Sequence, residues 1–433
     1  MILRAKYLLI NPETIIEDGF VAIKGHLISK VGRFTTQLRT LNSRLTDLGN
    51  ALIMPGLVNP HTHLEGPETY GGKNPKGEPP WYPPQSFPNW AERVINFRLQ
   101  MKPSDFLRSV TDGYRRLARN GITTVGDHSH LGRTWRAHKK SLLRTIILEE
   151  FVNLNPRTAE ITFQKVADFL KIIPKKNRLI SGGVAPHAPY TVSDKLYRLS
   201  FKFAQNNKMP LSTHLSELRE EVQLLITGKG PLKDYLKRVG RDNPYWQPPG
   251  ISPVQYLYKL GALKRPAFFV HCNYLSQTDI DLLARTNSTV VFCPNSQHYF
   301  GHPPHPFRRL IKAGVNVALG TDGLGSNQDL SILKEMRFVL EHYTGISPRE
   351  LIRMGTLNGL KAIFPYGPTP MSPLRRPADE VWNIGILKPG YEADIAVFPL
   401  IKKIVRKEDV LEHLIETAPE SRLTMVAGKT VRS

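Results

Sequence analysis

The sequence predicts an α/β fold, namely a (β/α)8 TIM barrel with a small composite β-sandwich domain made from both chain ends. The chain of 433 residues is long enough for a barrel of about 250 residues and a smaller second module. Strand-like apolar runs alternate with helix-like segments through its middle, and short strands separated by turns occupy both ends. An open doubly wound sheet is the alternative, but its Gly-x-Gly-x-x-Gly turn is missing after the first strand.

Both ends of the chain carry turn signals between short β-rich runs. Asp18-Gly19 separates two apolar runs near the amino end, and Pro389-Gly390 does the same near the carboxyl end. Each end is too small to bury a core alone, so we expect the two to pair. The predicted domain limits are residues 1–54 and 376–433 for the two halves of the β domain and residues 55–375 for the barrel.

Eight strand-like runs fill the middle of the chain, and helix-like segments follow most of them. In residues 104–119, for example, apolar side chains recur at helical spacing between a capping Ser104 and Gly121. Eight repeats of this kind favour a closed parallel barrel. The strand-like runs are residues 51–59, 121–127, 144–152, 179–185, 209–213, 267–271, 289–293 and 315–320.

A long insertion, residues 66–103, follows the first strand-like run. It is rich in proline and contains Trp81 and Trp90. A loop of this length is either functional or disordered, and the clustered aromatic residues favour a packed lid or substrate wall. We therefore expect Trp81 to contact the substrate.

Composition excludes several function classes. The apolar share of 40% and the charged share of 22% are typical of a globular enzyme. The net charge of +22 is compatible with nucleic-acid binding, but the basic residues are dispersed and no nucleic-acid-binding motif accompanies them. The only two cysteines, Cys272 and Cys293, favour buried thiols in a reducing compartment, and no apolar window of about 18 residues predicts a membrane span. We expect a cytoplasmic protein without a specific nucleic-acid or membrane partner.

The first barrel strand ends in PGLVNPHTHLEG, which sets His61 and His63 two residues apart. Residues at this spacing on a strand point to the same face, so both imidazoles can reach one metal. Barrel active sites lie at the carboxyl ends of the strands, where this pair falls. The spacing alone is weak evidence, because His128 and His130 repeat it after the second strand.

Other polar residues of the ligand or acid–base type end further strands of the predicted barrel. His187 ends the fourth strand, His214 the fifth with Glu217 three residues on, His271 the sixth and Asp322 the eighth. Because these strand ends meet at one face of a barrel, the pattern predicts a metal-dependent active site rather than chance.

In sequence order, these motifs resemble the amidohydrolase superfamily along almost the whole chain. The resemblance is to its mononuclear-metal branch, with S-adenosylhomocysteine/methylthioadenosine deaminases, aminodeoxyfutalosine deaminases, guanine deaminases and triazine chlorohydrolases. The motifs are PGLVNPHTH, APHAPYTVS, STHLSE, VHCNYLS, FCPNS, GTDGLGSN and KPGYEADIAVF. The binuclear branch needs a carboxylated lysine at the end of the fourth strand, where this chain has Ala185-Pro186-His187. The resemblance therefore implies one metal.

The resemblance also implies a role for each strand-end residue. One divalent metal, zinc by preference and iron as the alternative, is held by His61, His63, His214 and Asp322. His271 contacts the hydrolytic water and the substrate, Glu217 shuttles protons, and His187 contacts the substrate. Glu65, just after the histidine pair, is expected to bind a ribose hydroxyl or to form a surface salt bridge.

The chemistry of these residue types agrees with the resemblance. Three imidazoles and one carboxylate leave an open metal position for water, whose pKa falls from about 15.7 to about 7. Glu217 can carry a proton to a ring nitrogen and to the leaving amine, while Asp322 accepts a hydrogen bond from the water. His271 can stabilise the tetrahedral centre. These roles predict a reaction in which hydroxide attacks an amidine carbon and ammonia is released.

The sequence thus predicts a metal-dependent aminohydrolase. Its expected small-molecule substrate is an adenosine-like nucleoside: aminodeoxyfutalosine, S-adenosylhomocysteine or methylthioadenosine. Glu217 and the APHAPYTVS segment favour this class. The alternatives are a guanine deaminase or triazine-type hydrolase, and, in another class, a non-catalytic binding barrel. A homodimer is an open expectation.

Overall fold

The computed structural model of the chain contains a barrel and an adjoining sheet. The described residues are 1–35, 44–66, 86–130, 132–173, 178–244, 246–262, 266–365, 383–401, 404 and 406–431. Among the helices of these ranges, none has the length and apolar character that crossing a bilayer requires. The predicted barrel end at residue 375 and the predicted substrate contact Trp81 lie outside the described residues.

The strands are numbered here in chain order. Strands β1 to β5 are Ile2–Asn11, Thr14–Lys24, Leu27–Arg33, Leu45–Asp47 and Ala51–Pro55. Strands β6 to β13 are Leu57–Thr62, Ile122–His130, Arg144–Phe151, Ile180–Pro186, Ser212–Leu215, Phe268–His271, Thr289–Phe292 and Asn316–Leu319. Strands β14 to β16 are Ile395–Pro399, Leu423–Val426 and Lys429–Val431.

Strands β6 to β13 are parallel and form the barrel. They pair in sequence order as two four-stranded sheets, β6 to β9 and β10 to β13. At one seam, the Val184 N–H donates to the Pro210 carbonyl at 3.0 Å. At the other seam, the N–H groups of Thr321 and Asp322 each donate to the His61 carbonyl at 3.2 Å. The predicted (β/α)8 arrangement is confirmed in the described strands.

The single strand predicted over residues 51–59 is wrong. Strand β5 ends at Pro55, β6 begins at Leu57, and the two strands belong to different sheets. Gly56 lies between them, where an added Cβ would be 2.1 Å from the Thr123 Oγ1 atom. Strands of both sheets are buried here, so an unbroken apolar run gives no signal of the change.

The two chain ends form one mixed sheet, in the order β16, β15, β14, β5, β1, β2 and β3, with β4 beside β1. Leu8, Val21, Ile53 and Ile395 are buried in its core. The predicted pairing of the two chain ends is confirmed, and their strands share one continuous hydrogen-bonded sheet.

A buried ion cluster joins this sheet to the barrel. The Arg144 guanidinium, at the start of β8, donates to Asp394 at 2.5 and 3.0 Å and to Glu392 at 3.0 Å. All three side chains are at most 5% exposed. The sheet therefore lies at the amino ends of the barrel strands, opposite their carboxyl ends.

The helices cover the outside of the barrel and extend from its carboxyl-terminal loops. Helices α1 to α8 are Phe87–Gln100, Pro103–Arg119, Trp135–His138, Ala159–Ile172, Asp194–Asn206, Arg219–Thr227, Pro231–Arg238 and Pro253–Leu260. Helices α9 to α15 are Gln277–Ala284, Pro294–Tyr299, Phe307–Lys312, Ile332–His342, Pro348–Met354, Leu357–Ile363 and Val410–Thr417. Helix α1 comes from the predicted insertion.

Candidate active site

Four predicted metal ligands converge at the carboxyl ends of β6, β10 and β13. The Nε2 atoms of His63 and His214 lie 3.3 Å apart. Asp322 Oδ1 is 3.5 Å from His61 Nε2 and 3.6 Å from His63 Nε2. The strand spacing predicted this convergence for His61 and His63, and parallel strand ends supply the other two side chains.

This cluster fits a divalent metal. His61 is fully buried, yet neither of its ring nitrogens has a hydrogen-bond partner in the described part of the chain. Burial lowers the pKa of His63 to about 3 and that of His61 well below its ordinary value, so both rings are neutral and offer lone pairs. Uncompensated buried nitrogens are unfavourable, and a cation among these donors satisfies them. Three imidazoles with one carboxylate form a donor set typical of divalent zinc-type sites.

Asp322 is fixed so that one carboxylate oxygen faces the imidazoles. The hydroxyls of Ser296 and Ser326 each donate to its Oδ2 atom at 2.7 Å, which leaves Oδ1 for the cluster. Asp322 has a φ of 58°, a left-handed conformation that is strained for a residue with a side chain. Ser326 lies on the same loop as Asp322, whereas Ser296 comes from α10.

Glu217 is the acid–base candidate beside the cluster. Its side chain is 6% exposed, and its Oε1 atom lies 3.6 Å from His271 Nε2. Burial, reinforced by nearby carboxylates, raises the pKa of Glu217 well above its ordinary value. Glu221 holds the Glu217 backbone by accepting its N–H at 2.9 Å. A raised pKa favours the protonated carboxyl, which is the form that can donate a proton to a substrate.

His271 is held in an unusual backbone conformation. His271 and Cys272 have φ values of 71° and 57°, so two successive non-glycine residues are left-handed. His305 Nε2 lies 2.6 Å from the His271 carbonyl, and its ring stacks on Phe292 with centroids 4.1 Å apart. Nothing in the sequence predicted that His305 would contact the His271 backbone. Cys272, like Cys293, is a buried free thiol, as predicted.

The second histidine pair was expected to follow the second barrel strand but lies on it. His128 and His130 belong to β7 and share the buried Glu150, at 3.2 Å from Oε1 and 3.0 Å from Oε2. The second nitrogen of His128 is 3.0 Å from Ser212 Oγ, so both its ring nitrogens have protein partners. The pair therefore supports the metal cluster from behind.

Glu150 was missed by the sequence analysis, although two acidic residues at the end of an apolar strand were a signal. Burial opposes its ionisation, but the His130 and His128 imidazoles hold its pKa well below the ordinary value. Glu150 Oε1 also lies 3.5 Å from Nδ1 of the metal-ligand candidate His214. A carboxylate behind a ligating imidazole orients the ring and increases its basicity.

The two remaining described substrate candidates lie in the same cavity. His187 lines it and forms a 2.8 Å contact with Thr191 Oγ1. Glu65 also lines it but is buried, not a surface residue, and accepts hydrogen bonds from Ser129 Oγ at 2.5 Å and from Thr134 Oγ1. The salt bridge that was an alternative for Glu65 is present, with Arg98 at 3.4 Å, but the Glu65 end of it is buried rather than at the surface.

The cavity above the cluster has a volume of about 400 Å³. Helix α1 forms one wall: Trp90 donates from Nε1 to the Gly325 carbonyl at 2.9 Å and packs against Phe87 and Phe300. Tyr190 and Leu236 line it from other loops. A concave, largely apolar cavity with a few polar groups at its base is typical of a small-molecule site.

Comparison with known proteins identifies the family. Residues 52–363 match the model of the amidohydrolase family. The chain belongs to this family. It is 28% identical to a 5-methylthioadenosine/S-adenosylhomocysteine deaminase of Pyrococcus furiosus, over 91% of this chain and 84% of that protein. It is 30% identical to a 5'-deoxyadenosine deaminase of Methanothrix thermoacetophila, over 82% of this chain and 81% of that protein.

Two solved structures share this amidohydrolase fold. Helicobacter pylori aminofutalosine deaminase in complex with methylthio-coformycin superposes with a TM-score of 0.82 at 21% identity, over 99% of both chains. An adenosine deaminase from Xanthomonas campestris with bound zinc gives a TM-score of 0.76 at 23% identity, over 99% of this chain and 92% of that one. Both confirm the predicted fold class.

Proposed function

We propose that this protein is a metal-dependent aminohydrolase that removes the amino group of an adenosine-like nucleoside. One observation carries the proposal: the ligand atoms of His61, His63, His214 and Asp322 converge, with separations of 3.3, 3.5 and 3.6 Å, and the raised-pKa carboxyl of Glu217 lies nearby, 3.6 Å from His271. The named activities of the two relatives, both deaminases of adenosine-type compounds, support it.

The proposed ligands of the metal are His61, His63, His214 and Asp322. Zinc is the proposed metal, with support from the zinc-bound structural neighbour, and iron is the alternative. When bound, a divalent cation lowers the pKa of water from about 15.7 to about 7, which makes hydroxide available at neutral pH.

In the proposed reaction, the residues of the chain position the reactants and move the protons. Asp322 accepts a hydrogen bond from the attacking water, and Glu217 donates its proton to a ring nitrogen of the aminopurine. His271 stabilises the charge that develops on the tetrahedral carbon. Glu217 then recovers a proton from the added oxygen and delivers it to the amino group, and the proton that the attacking water gave up restores the Glu217 carboxyl for the next turnover. In net balance, water replaces the amino group with oxygen and ammonia leaves.

The alternatives have less support. The two reported relatives are named for adenosine-type substrates rather than for guanine or triazines. A non-catalytic barrel gives no reason for a Glu217 carboxyl of raised pKa beside four ligand-type side chains. The homodimer, the cytoplasmic location, the three domain limits and the substrate roles of His187, Glu65 and Trp81 stay predictions.

Metal analysis combined with an ammonia-release assay tests the proposal. The purified protein should hold close to one zinc or iron per chain and release ammonia from methylthioadenosine, S-adenosylhomocysteine or aminodeoxyfutalosine. His61→Ala should lose both metal and turnover, whereas His342→Ala, an exposed histidine on α12, should keep both. Retention of metal and turnover by His61→Ala would refute the ligand assignment.

A further inference from the structure

His305 is a buried polar residue to which the proposed reaction gives no role. It lies on the loop between α10 and α11 and is 4% exposed. It is not among the described residues that line the active-site cavity. Its Nε2 atom nevertheless reaches the site indirectly, through the 2.6 Å contact with the carbonyl oxygen of His271.

The His305 ring is neutral, and its single proton is on Nε2. Burial lowers the pKa of His305 to about 4, so the imidazole has one N–H group near neutral pH. A carbonyl oxygen can only accept a hydrogen bond, and Nε2 is therefore the donor in the contact with His271. The other ring nitrogen, Nδ1, is then a buried acceptor that has no partner within the described residues. An unpaired buried acceptor is unfavourable.

The surroundings of His305 would suit an apolar ring. The imidazole stacks on Phe292 with ring centroids 4.1 Å apart and an angle of 11° between the planes, and the Phe307 ring centroid lies 6.3 Å away. A phenylalanine at this position could stack in the same way without a buried unpaired nitrogen. The property that the histidine adds is its N–H group, which the His271 carbonyl receives.

The imidazole of His305 is held by its own neighbours. Its backbone N–H donates to the Tyr343 hydroxyl at 3.0 Å, and the Tyr343 ring packs edge-on against Phe307 at 5.1 Å. Phe292, on which the imidazole stacks, is the last residue of β12. The N–H group of His305 is thus presented from a fixed support, as positioning of another residue requires.

The bond from His305 acts on one end of a strained peptide group. His271 and Cys272 are both left-handed, and such conformations persist only where the surrounding structure enforces them. The carbonyl of this peptide group accepts the bond from His305, and its N–H, that of Cys272, donates to the Leu215 carbonyl at 2.9 Å. The peptide plane is therefore held at both ends, which fixes ψ of His271 and φ of Cys272.

We propose that His305 is a positioning residue, whose Nε2–H holds the peptide group between His271 and Cys272 so that the His271 ring is directed at the reacting carbon. The His271 ring lies 3.6 Å from Glu217, at the place where the proposed reaction develops charge. His305 then acts on the transition state through His271 and not on the binding of the substrate. This inference rests on the proposed deaminase function.

Variants separate the N–H group from the shape of the ring. His305→Phe keeps the stacking but removes the donor, whereas His305→Gln keeps an N–H donor at about the position of Nε2. We expect His305→Phe to lower kcat by roughly three- to tenfold, as for one lost hydrogen bond, with KM within about twofold of wild type. His305→Gln should recover most of this loss. His298→Phe, which changes an exposed histidine of α10 outside the cavity lining, should retain wild-type kcat.

Expressing kcat per bound metal ion separates positioning from a general loss of folded protein. A histidine that only stabilised the fold would lower the free energy of unfolding while leaving kcat per metal ion unchanged. Should His305→Phe fail to fold, His305→Met takes its place, because it also lacks the donor and its flexible side chain adapts to the packing.

Three outcomes would overturn the proposal: wild-type kcat per metal ion without the donor, a loss confined to KM, or a His305→Gln enzyme as slow as His305→Phe. Failure of the deaminase proposal looks different, because the wild-type protein would then release no ammonia from any nucleoside. In that case, crystal structures of the wild type and His305→Phe still decide. A rotated peptide group and a displaced His271 ring would support positioning, and an unchanged His271 would refute it.

Discussion

At the residue scale, the proposed chemistry depends on a carboxyl group that keeps its proton. Glu217 lies on the loop after β10, buried beside other acidic groups, and each of these features disfavours its ionised form. Asp322 lies only a short distance away but is ionised, because serine hydroxyls and imidazoles surround it. Two carboxyl groups whose pKa values are shifted in opposite directions suit acid–base catalysis beside a metal.

Replacement of Glu217 by glutamine should abolish most turnover while leaving the metal in place. The amide has the same shape but cannot carry the proton, so we expect kcat to fall by about 10²- to 10⁴-fold. Metal content and kcat measure the two effects separately. Glu220→Gln, on the first turn of α6 and outside the cavity lining, is the control. A Glu217→Gln enzyme within a fewfold of wild type would disprove proton shuttling by this residue.

Glu150→Gln should weaken metal binding. A glutamine side chain has one acceptor oxygen and cannot serve His128 and His130 together, so the orientation of the neighbouring His214 loosens. Loss of such a supporting carboxylate typically reduces metal affinity by about 10- to 100-fold. Competition with a chelator measures the metal Kd, and circular dichroism checks that the variant is folded. A folded variant with wild-type metal affinity would contradict this role.

At the element scale, glycines let neighbouring strands approach closely enough to bring the ligands together. An added Cβ at Gly126, on β7, would lie 2.4 Å from the carbonyl oxygen of Pro60, which immediately precedes His61 on β6. Backbone atoms cannot move away as side chains can, so the strand that carries His61 and His63 would shift.

Gly126→Ala should therefore lower both stability and metal content. We expect a loss of about 1–3 kcal/mol in the free energy of unfolding, the usual range for overpacking. Gly182→Ala on β9 is the matched control, because its Cβ would meet only the mobile ends of Leu170 and Ile173. Denaturant unfolding and metal analysis of both variants test the difference. Equal behaviour of the two alanine variants would argue against this account of β6.

At the scale of the whole molecule, the ion cluster around Arg144 fixes the composite sheet to the barrel. Arg144→Met should destabilise the protein by about 3–5 kcal/mol, because Asp394 and Glu392 stay buried without their guanidinium. Arg178 also contacts Glu392, but its side chain is 47% exposed. Arg178→Met should therefore change stability by about 1 kcal/mol or less. Denaturant titrations compare the two variants, and a smaller loss for Arg144→Met than for Arg178→Met would contradict the model of the interface.

The sequence predicted the parts of the site whose signal is local. His61, His63, His214 and Asp322 each follow an apolar strand, and parallel strand ends meet at one face. His305 gave no signal, and the two acidic residues that end the third barrel strand marked Glu150 without indicating its partners, since these roles depend on contacts 34 and 22 residues away. The division of residues 51–59 between two sheets could not be predicted either, because burial makes both strands apolar whichever sheet they join.

The central claim is that one metal is held by three imidazoles and one aspartate at the carboxyl end of the barrel. Anomalous X-ray scattering from crystals of the metal-loaded protein tests it most directly. We expect a single peak at about 2.0–2.2 Å from nitrogens of His61, His63 and His214 and from a carboxylate oxygen of Asp322. A peak bound by other residues, or two peaks in the same cavity, would contradict this account.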